Sequence, residues 1–161
     1  MAISIGDRLP DAQFRSLTAE GPKTLSTADV FDGKTVALFA VPGAFTPTCH
    51  ARHLPNFLDQ FEALKAKGVD LIACVSVNDM FVMDAWAKSQ HTGDRILMLA
   101  DGNGEFTKAV GLELDATGFG LGARSRRYAM LVRDGVVEQL NLEAGGGFEV
   151  SSADYLLQQI G

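Results

Sequence analysis

The sequence predicts an α/β fold in which helices pack on a mixed β-sheet. Two apolar runs, residues 35–41 and 69–77, are each followed by a helical pattern, which is typical of alternating strands and helices. Later in the chain an Asp134-Gly135 turn joins two further strand patterns, which indicates an antiparallel hairpin. Strands of both orientations in one chain favour a mixed sheet between helices.

The first strand and helix are marked by prolines. Residues 35–41 are rich in β-favouring apolar side chains and end at Pro42. Thr46 before Pro47 is typical of a helix start, because proline is pre-organised for the first helical position. Apolar residues then recur at helical spacing. Pro55 lies inside this helix and is expected to kink it, because proline lacks the N–H of the helical hydrogen bond.

The remaining elements continue the alternation. After the strand at 69–77, Asn78-Asp79 is expected to cap a helix that carries Phe81, Val82, Ala85 and Trp86 on one face. Further predicted elements are a strand at 96–100, a short helix at 104–110, strands at 127–132 and 136–140, and a last helix that begins after 151–152 and runs to 160. The sequence shows no repeat or low-complexity tail, so we predict a single domain over residues 1–161.

Composition limits the classes of function. A chain of 161 residues with 47% hydrophobic and 21% charged residues is typical of a globular domain. Its net charge of -6 has the wrong sign for a nucleic-acid partner. Neither an export signal nor a stretch of membrane-spanning length is visible, so we expect no membrane partner. Two cysteines suit a reducing compartment, and we expect a cytoplasmic location.

Cys49 is the candidate nucleophile. It lies in the first turn of a helix that follows a strand, and ligands of α/β sheets bind at that end of the strands. The free N–H groups and the positive end of the helix dipole favour the thiolate over the thiol. Thr46 can bring its hydroxyl near the sulfur as donor or acceptor. Cys74, in the middle of an apolar strand, is expected to be buried and inert.

Several kinds of cysteine chemistry compete at this position. Residues 49–52 lack a second cysteine, which excludes a Cys-x-x-Cys dithiol exchanger. A helix, and not a glycine-rich loop ending in arginine, follows the cysteine, which excludes an arginine-loop phosphatase. A Cys-His hydrolase with His50 or His53 as base stays open, as does metal binding by Cys49 and His53, although no further ligand pair is evident.

The segment PGAFTPTC at residues 42–49 resembles the peroxiredoxin signature Pro-x-x-x-Thr-x-x-Cys, in the form of the type II, peroxiredoxin-5-like subfamily. Similarity to that family continues at residues 54–55, 65–69, 75–79, 99–102, 111–114, 125–128 and 143–152. The resemblance implies a thioredoxin-like fold and reduction of hydrogen peroxide and organic hydroperoxides with electrons from thiols. It also implies that no metal or prosthetic group takes part.

The resemblance implies roles for four residues. Cys49 matches the peroxidatic cysteine, which peroxide converts to a sulfenic acid, and Thr46 matches the hydroxyl of the motif. Pro42 matches the residue that shields the sulfur, and Arg127 matches the active-site arginine. Two further arginines lie within three residues of Arg127, and spacing alone does not choose among them. Strand alternation places Arg127 on the opposite face from Arg126.

The resemblance also bears on partners. Residues 149–152 lack the resolving cysteine that animal relatives carry near this position, which is closer to the plant and bacterial pattern. That pattern implies glutathione with glutaredoxin, or thioredoxin, as reductant. The family further implies a homodimer with Phe45, Phe81 and Phe119 near its interface. The alternative function is a peroxide sensor or redox relay that passes oxidation from Cys49 to a partner protein.

Overall fold

A seven-stranded mixed sheet forms the centre of the molecule. The structure, a computed structural model, describes residues 2–145 and 147–160. Its strands are β1 (Gln13–Thr18), β2 (Gly21–Ser26), β3 (Thr35–Ala40), β4 (Leu71–Ser76), β5 (Leu97–Ala100), β6 (Glu113–Asp115), β7 (Ala123–Ser125), β8 (Tyr128–Arg133) and β9 (Val136–Leu142). The central sheet has the order β2-β1-β5-β4-β3-β8-β9, with β3, β4 and β5 parallel to one another, and β6 pairs with β7 separately.

Helices cover both faces of this sheet. They are α1 (Thr27–Phe31), α2 (Leu54–Asp59), α3 (Phe61–Ala66), α4 (Met80–Ser89), α5 (Glu105–Ala109) and α6 (Ala153–Gln159), with a π-helical turn at Cys49–His53 and a 3₁₀ turn at Thr117–Phe119. The π-helical turn, α2, α3, α4 and α6 pack on one face, and α1 and α5 pack on the other. All six residues of β3 are therefore buried, as a central strand covered on both faces requires. The predicted mixed sheet flanked by helices is confirmed.

Pro55 changes the hydrogen-bond pattern of the helix locally. It cannot donate the i→i−4 bond, and the N–H of Leu54 donates to the carbonyl of Cys49, five residues earlier. The helix thus begins at Pro47 with a regular turn, widens into the π-helical turn at Cys49–His53 and returns to α-helix at Leu54. Such turns are frequent at functional sites.

Four parts of the structure differ from the sequence prediction. The β1–β2 hairpin, α1 and the β6–β7 pair were not predicted, because these segments are short and largely polar and give no clear hydrophobic period. The proposed apolar face of α4 was wrong in part: Trp86 is buried and Val82 packs against the core, whereas Phe81 is 62% exposed and Ala85 is exposed. Met83, which was not predicted, is buried. Phe81 lies about 200° around the helix from Met83, so the two cannot share one stripe. No helix among the described residues has the length and apolar character needed to cross a membrane.

Candidate active site

The loop after β3 is held in place from the neighbouring strand. The N–H of Ala44 donates to Oδ1 of Asn78 at 3.0 Å, and the buried hydroxyl of Ser76 donates to the same oxygen at 2.6 Å. Asn78 follows β4, which is parallel to β3, so both segments lie at the carboxyl edge of the sheet. This is the edge at which α/β proteins bind their ligands.

Thr46 and Gly43 close a tight turn in this loop. The Thr46 hydroxyl donates to the Gly43 carbonyl at 2.6 Å, so its proton is engaged while its oxygen can still accept. A Cβ atom at Gly43 would lie 3.0 Å from Cγ2 of Thr46 and 3.3 Å from Nη1 of Arg124. A larger residue at this position would thus require the side chains of Thr46 and Arg124 to shift slightly.

Cys49 and Arg127 meet inside the protein. The thiol is fully buried, and Nη2 of Arg127 donates to Sγ at 3.0 Å. The pairing of β3 with β8 explains this contact across the sequence, because Tyr128 lies opposite Ala40 and the residue before Tyr128 reaches the end of β3. Within residues 2–145 and 147–160 this is the only hydrogen bond to Sγ. The guanidinium therefore places a positive charge in direct contact with the sulfur.

His53 forms a hydrogen bond with the guanidinium of Arg127. The imidazole is fully buried, with Nε2 2.9 Å from the Ser151 carbonyl and Nδ1 2.8 Å from Nη1 of Arg127. Because a carbonyl can only accept, Nε2 carries the proton and Nδ1 is the acceptor for Arg127. The ring also packs between Phe39 and Phe148, with centroids 4.9 Å away in each case. His53 therefore fixes the direction of the guanidinium.

Glu143 anchors the loop that holds His53. Its Oε2 accepts hydrogen bonds from the N–H groups of Glu149, Val150 and Ser151 and from the Ser151 hydroxyl, at distances of 2.6 to 2.9 Å. Burial raises the pKa of Glu143, but these hydrogen bonds outweigh burial and the net pKa lies below its usual value. The ionised carboxylate thus places the Ser151 carbonyl that selects the His53 tautomer.

The environment of His53 predicts a pH dependence of stability. Burial, and then the positive charge of Arg127, lower the pKa of His53 from 6.5 to about 3, against the opposing effect of the Ser151 hydrogen bond. Between these two values the unfolded chain binds a proton at His53 that the folded chain does not. The free energy of unfolding should therefore fall as pH is lowered from about 6.5 towards 3.

Denaturant titrations at several pH values test this expectation with a matched pair of variants. His53→Asn should flatten the dependence of the unfolding free energy on pH between 6.5 and 3. His91→Asn is the control, because His91 is exposed and its positive φ of 55° is tolerated by asparagine. Equal slopes for His53→Asn and the parent protein would contradict the assignment of a neutral His53.

The positions of His50 and His53 argue against a Cys-His hydrolase and against metal binding by Cys49 and His53. His50 faces α4, where Nε1 of Trp86 donates to its Nδ1 at 3.0 Å, and its ring stacks on Phe45. Both nitrogens of His53 are engaged by Ser151 and Arg127, so neither histidine is placed as a base for the sulfur. Across the described residues no cluster of three potential ligands is arranged for a metal ion.

A cavity of about 530 Å³ is lined by Arg127, whose Nη2 contacts the buried sulfur. Pro42, Leu114, Phe119, Arg126 and Glu143 also line it. Pro42 thus lies between the cavity and the loop after β3. Arg127 is 7% exposed, and the neighbouring Arg126 is half-buried with Nη2 3.3 Å from the Glu143 carbonyl.

Cys74 lies in β4, paired in register with Phe39 of β3. It is fully buried, and both cysteines are free thiols. Burial, followed by repulsion from Cys49, raises the pKa of Cys74 well above its usual value. A buried neutral thiol is a poor nucleophile, in agreement with the inert character expected from the sequence.

Sequence reasoning missed the supporting residues of the site. The spacing of Cys49 and His53, four residues apart on one helix, pointed to a shared face but not to Arg127 as the group between them. Glu143 lies in the segment 143–152 that resembles the family, but composition and spacing assigned it no role, because an isolated glutamate after a strand is most often solvated. Only the tertiary fold shows that its carboxylate is turned onto the loop at residues 149–151.

Comparison with known proteins identifies the family of the chain. The Redoxin family model matches residues 4–157. "Peroxiredoxin-2E, chloroplastic" of Arabidopsis thaliana is 50% identical over 163 residues, which cover 99% of this chain and 70% of that protein.

Two solved structures share the fold over nearly the whole chain. Reduced Prx3 of Vibrio vulnificus in complex with H2O2 has a TM-score of 0.95 at 54% identity and covers 99% of both chains. Peroxiredoxin 5 of Alvinella pompejana has a TM-score of 0.87 at 38% identity and covers 98% of this chain and 97% of its own. The thioredoxin-like fold expected from the resemblance is thereby confirmed. The chain belongs to the Redoxin family and is a type II peroxiredoxin, a thiol-dependent peroxidase.

Proposed function

We propose that the protein reduces hydrogen peroxide and organic hydroperoxides at Cys49 and forms a sulfenic acid there. The observation that carries the proposal is the 3.0 Å contact between Nη2 of Arg127 and the buried Sγ. A cation held against the sulfur supports the nucleophilic thiolate. Its position, fixed by His53, costs no rearrangement when the reaction occurs.

The proposed reaction transfers one oxygen atom to sulfur. The thiolate attacks one oxygen of the peroxide, the O–O bond breaks, and the second oxygen leaves as hydroxide or alkoxide and takes up a proton. Arg127 donates to the charge that develops on these oxygens, which stabilises the transition state more than the ground state. The Thr46 hydroxyl already donates to Gly43, so we assign its oxygen as an acceptor for the peroxide O–H. Pro42 limits access of water to the sulfur.

We propose that an external thiol closes the cycle. Glutathione condenses with the sulfenic acid to give a mixed disulfide and water, and glutaredoxin then releases the Cys49 thiol; thioredoxin is the alternative reductant. Burial of Cys74 inside β4 supports a cycle that uses one cysteine of the chain. Because Cys49 is also buried, a thiol larger than peroxide requires the first helical turn to move.

We also propose a homodimer and a cytoplasmic location for this single domain of residues 1–161. Three large aromatic side chains support the dimer, because they are unusually exposed: Phe45 at 48%, Phe81 at 62% and Phe119 at 86%. The free state of both cysteines supports a reducing compartment.

Peroxide consumption by the purified protein tests the proposed function. Hydrogen peroxide is supplied with either glutathione and glutaredoxin or the thioredoxin system, and steady-state turnover is expected with at least one of them. Cys74→Ser serves as the control variant with the proposed nucleophile intact. A single oxidation of Cys49 with no turnover in either system would instead favour the peroxide sensor or relay.

A further inference from the structure

Arg126 has no carboxylate partner among residues 2–145 and 147–160, and it lines the cavity that Arg127 also lines. Within that part of the chain its guanidinium makes one hydrogen bond, at 3.3 Å to the Glu143 carbonyl. The same cavity is lined by Arg127, whose Nη2 contacts Sγ of Cys49. Two adjacent arginines therefore face one space in a chain whose net charge is -6.

The acidic residue that lines this cavity forms no salt bridge with Arg126. Glu143 also lines the cavity, but its Oε2 accepts four hydrogen bonds from the segment at residues 149–151. Its side chain is 4% exposed, so the carboxylate is directed inward to that segment. Several donors of the Arg126 guanidinium are consequently free for a ligand.

The other residues that line the cavity determine which kind of ligand fits it. Pro42, Leu114 and Phe119 give the cavity an apolar side, and its volume of about 530 Å³ accepts an organic molecule and not only hydrogen peroxide. The planar fork of a guanidinium matches a carboxylate in two parallel hydrogen bonds. An organic reactant with a carboxylate can thus bind Arg126 while its reactive end lies near Arg127 and Cys49.

His50 and Arg52, which follow Cys49 in the sequence, are less suited to bind a carboxylate. His50 is engaged by Trp86 and Gln90, and Arg52 lies over the ring of Phe148 at 4.9 Å. We propose that Arg126 binds a carboxylate of the organic molecule that reacts at Cys49, and so favours carboxylate-bearing reactants over neutral ones of similar size. The inference rests on the proposed peroxidase function and names a preference within the same site.

Acid and ester pairs test the proposal in each half of the cycle. In the first half, sulfenic acid formation is timed by rapid mixing with a fatty-acid hydroperoxide and with its methyl ester. In the second half, the preformed sulfenic acid is mixed with glutathione or with its diethyl ester. These two arms distinguish a carboxylate on the hydroperoxide from a carboxylate on the thiol.

Arg126→Met removes the charge and keeps an unbranched apolar stem. We expect the ratio of acid rate to ester rate to fall about tenfold in at least one arm, which corresponds to the loss of one charge-assisted hydrogen bond. Arg126→Lys should restore part of the ratio. Arg133→Met is the matched control, because it removes the same charge from an exposed arginine paired with Glu138 and should leave both ratios unchanged.

The result that would overturn the proposal is an acid-to-ester ratio that is the same in Arg126→Met and the parent protein in both arms. Reduction of hydrogen peroxide by the parent protein is measured in parallel, because it needs no carboxylate. Its absence would instead refute the proposed peroxidase function. Size-exclusion chromatography with light scattering confirms that each variant keeps the oligomeric state of the parent, so that a changed ratio reports on binding.

Discussion

Replacing Cys49 with serine is expected to abolish peroxide turnover, whereas Cys74→Ser should keep most of the parent rate. A serine hydroxyl beside Arg127 stays protonated and cannot attack the O–O bond as the sulfur does. Cys74 is buried inside β4 with a raised pKa, so its removal takes no nucleophile from the reaction. Steady-state consumption of hydrogen peroxide with excess reductant measures both variants. Residual turnover in Cys49→Ser that disappears when Cys74 is also replaced would contradict the assignment.

Removal of the Arg127 guanidinium is expected to lower the rate of sulfenic acid formation by about 10²-fold, the cost of losing one preorganised donor to a developing oxyanion. Arg127→Lys should not restore this rate. A lysine offers a single charged point, whereas Arg127 uses Nη1 for His53 and Nη2 for Cys49 at the same time. Rapid mixing with hydrogen peroxide measures the step directly. A greater loss in Arg126→Ala than in Arg127→Lys would show that the wrong arginine was assigned.

Two variants of His53 separate its effect on Arg127 from its effect on stability. Asparagine can keep an acceptor near the position of Nδ1, and glutamine can keep a donor near that of Nε2. If His53 positions Arg127 through Nδ1, the acceptor of asparagine should preserve that contact. Cys49 in the His53→Asn variant should then react with peroxide faster than Cys49 in the His53→Gln variant. The free energy of unfolding is measured for both, since a purely structural role would make the two rates follow stability alone.

The position of the proposed nucleophile could be predicted from local sequence. A β-favouring apolar run, a Pro42-Gly43 stop and a Thr46-Pro47 helix start place Cys49 at the carboxyl end of a strand, and β3 and the following helical segment agree. The Asp134-Gly135 hairpin was also correct, because its turn chemistry is local.

The partners of the nucleophile could not be predicted from spacing. Arg127 reaches Cys49 because β8 runs antiparallel beside β3, a pairing of distant segments that periodicity does not encode. The family resemblance chose Arg127 from three nearby arginines, and the geometry places that residue at the sulfur. The roles of His53 and Glu143 depend on the loop at residues 149–151, which carries no regular pattern. The edge strand β2, which contains Pro22 and no buried residue, likewise lacked a signal.

The central claim is that Cys49 alone among the residues of the chain accepts oxygen from peroxide and awaits an external thiol. Intact mass spectrometry after one equivalent of hydrogen peroxide, without added thiol, tests this claim most directly. The account predicts a gain of one oxygen atom, located at Cys49 by peptide mapping and converted by glutathione to a mixed disulfide. A loss of two hydrogens that is present in the parent protein and absent in Cys74→Ser would reveal an internal disulfide and contradict the account.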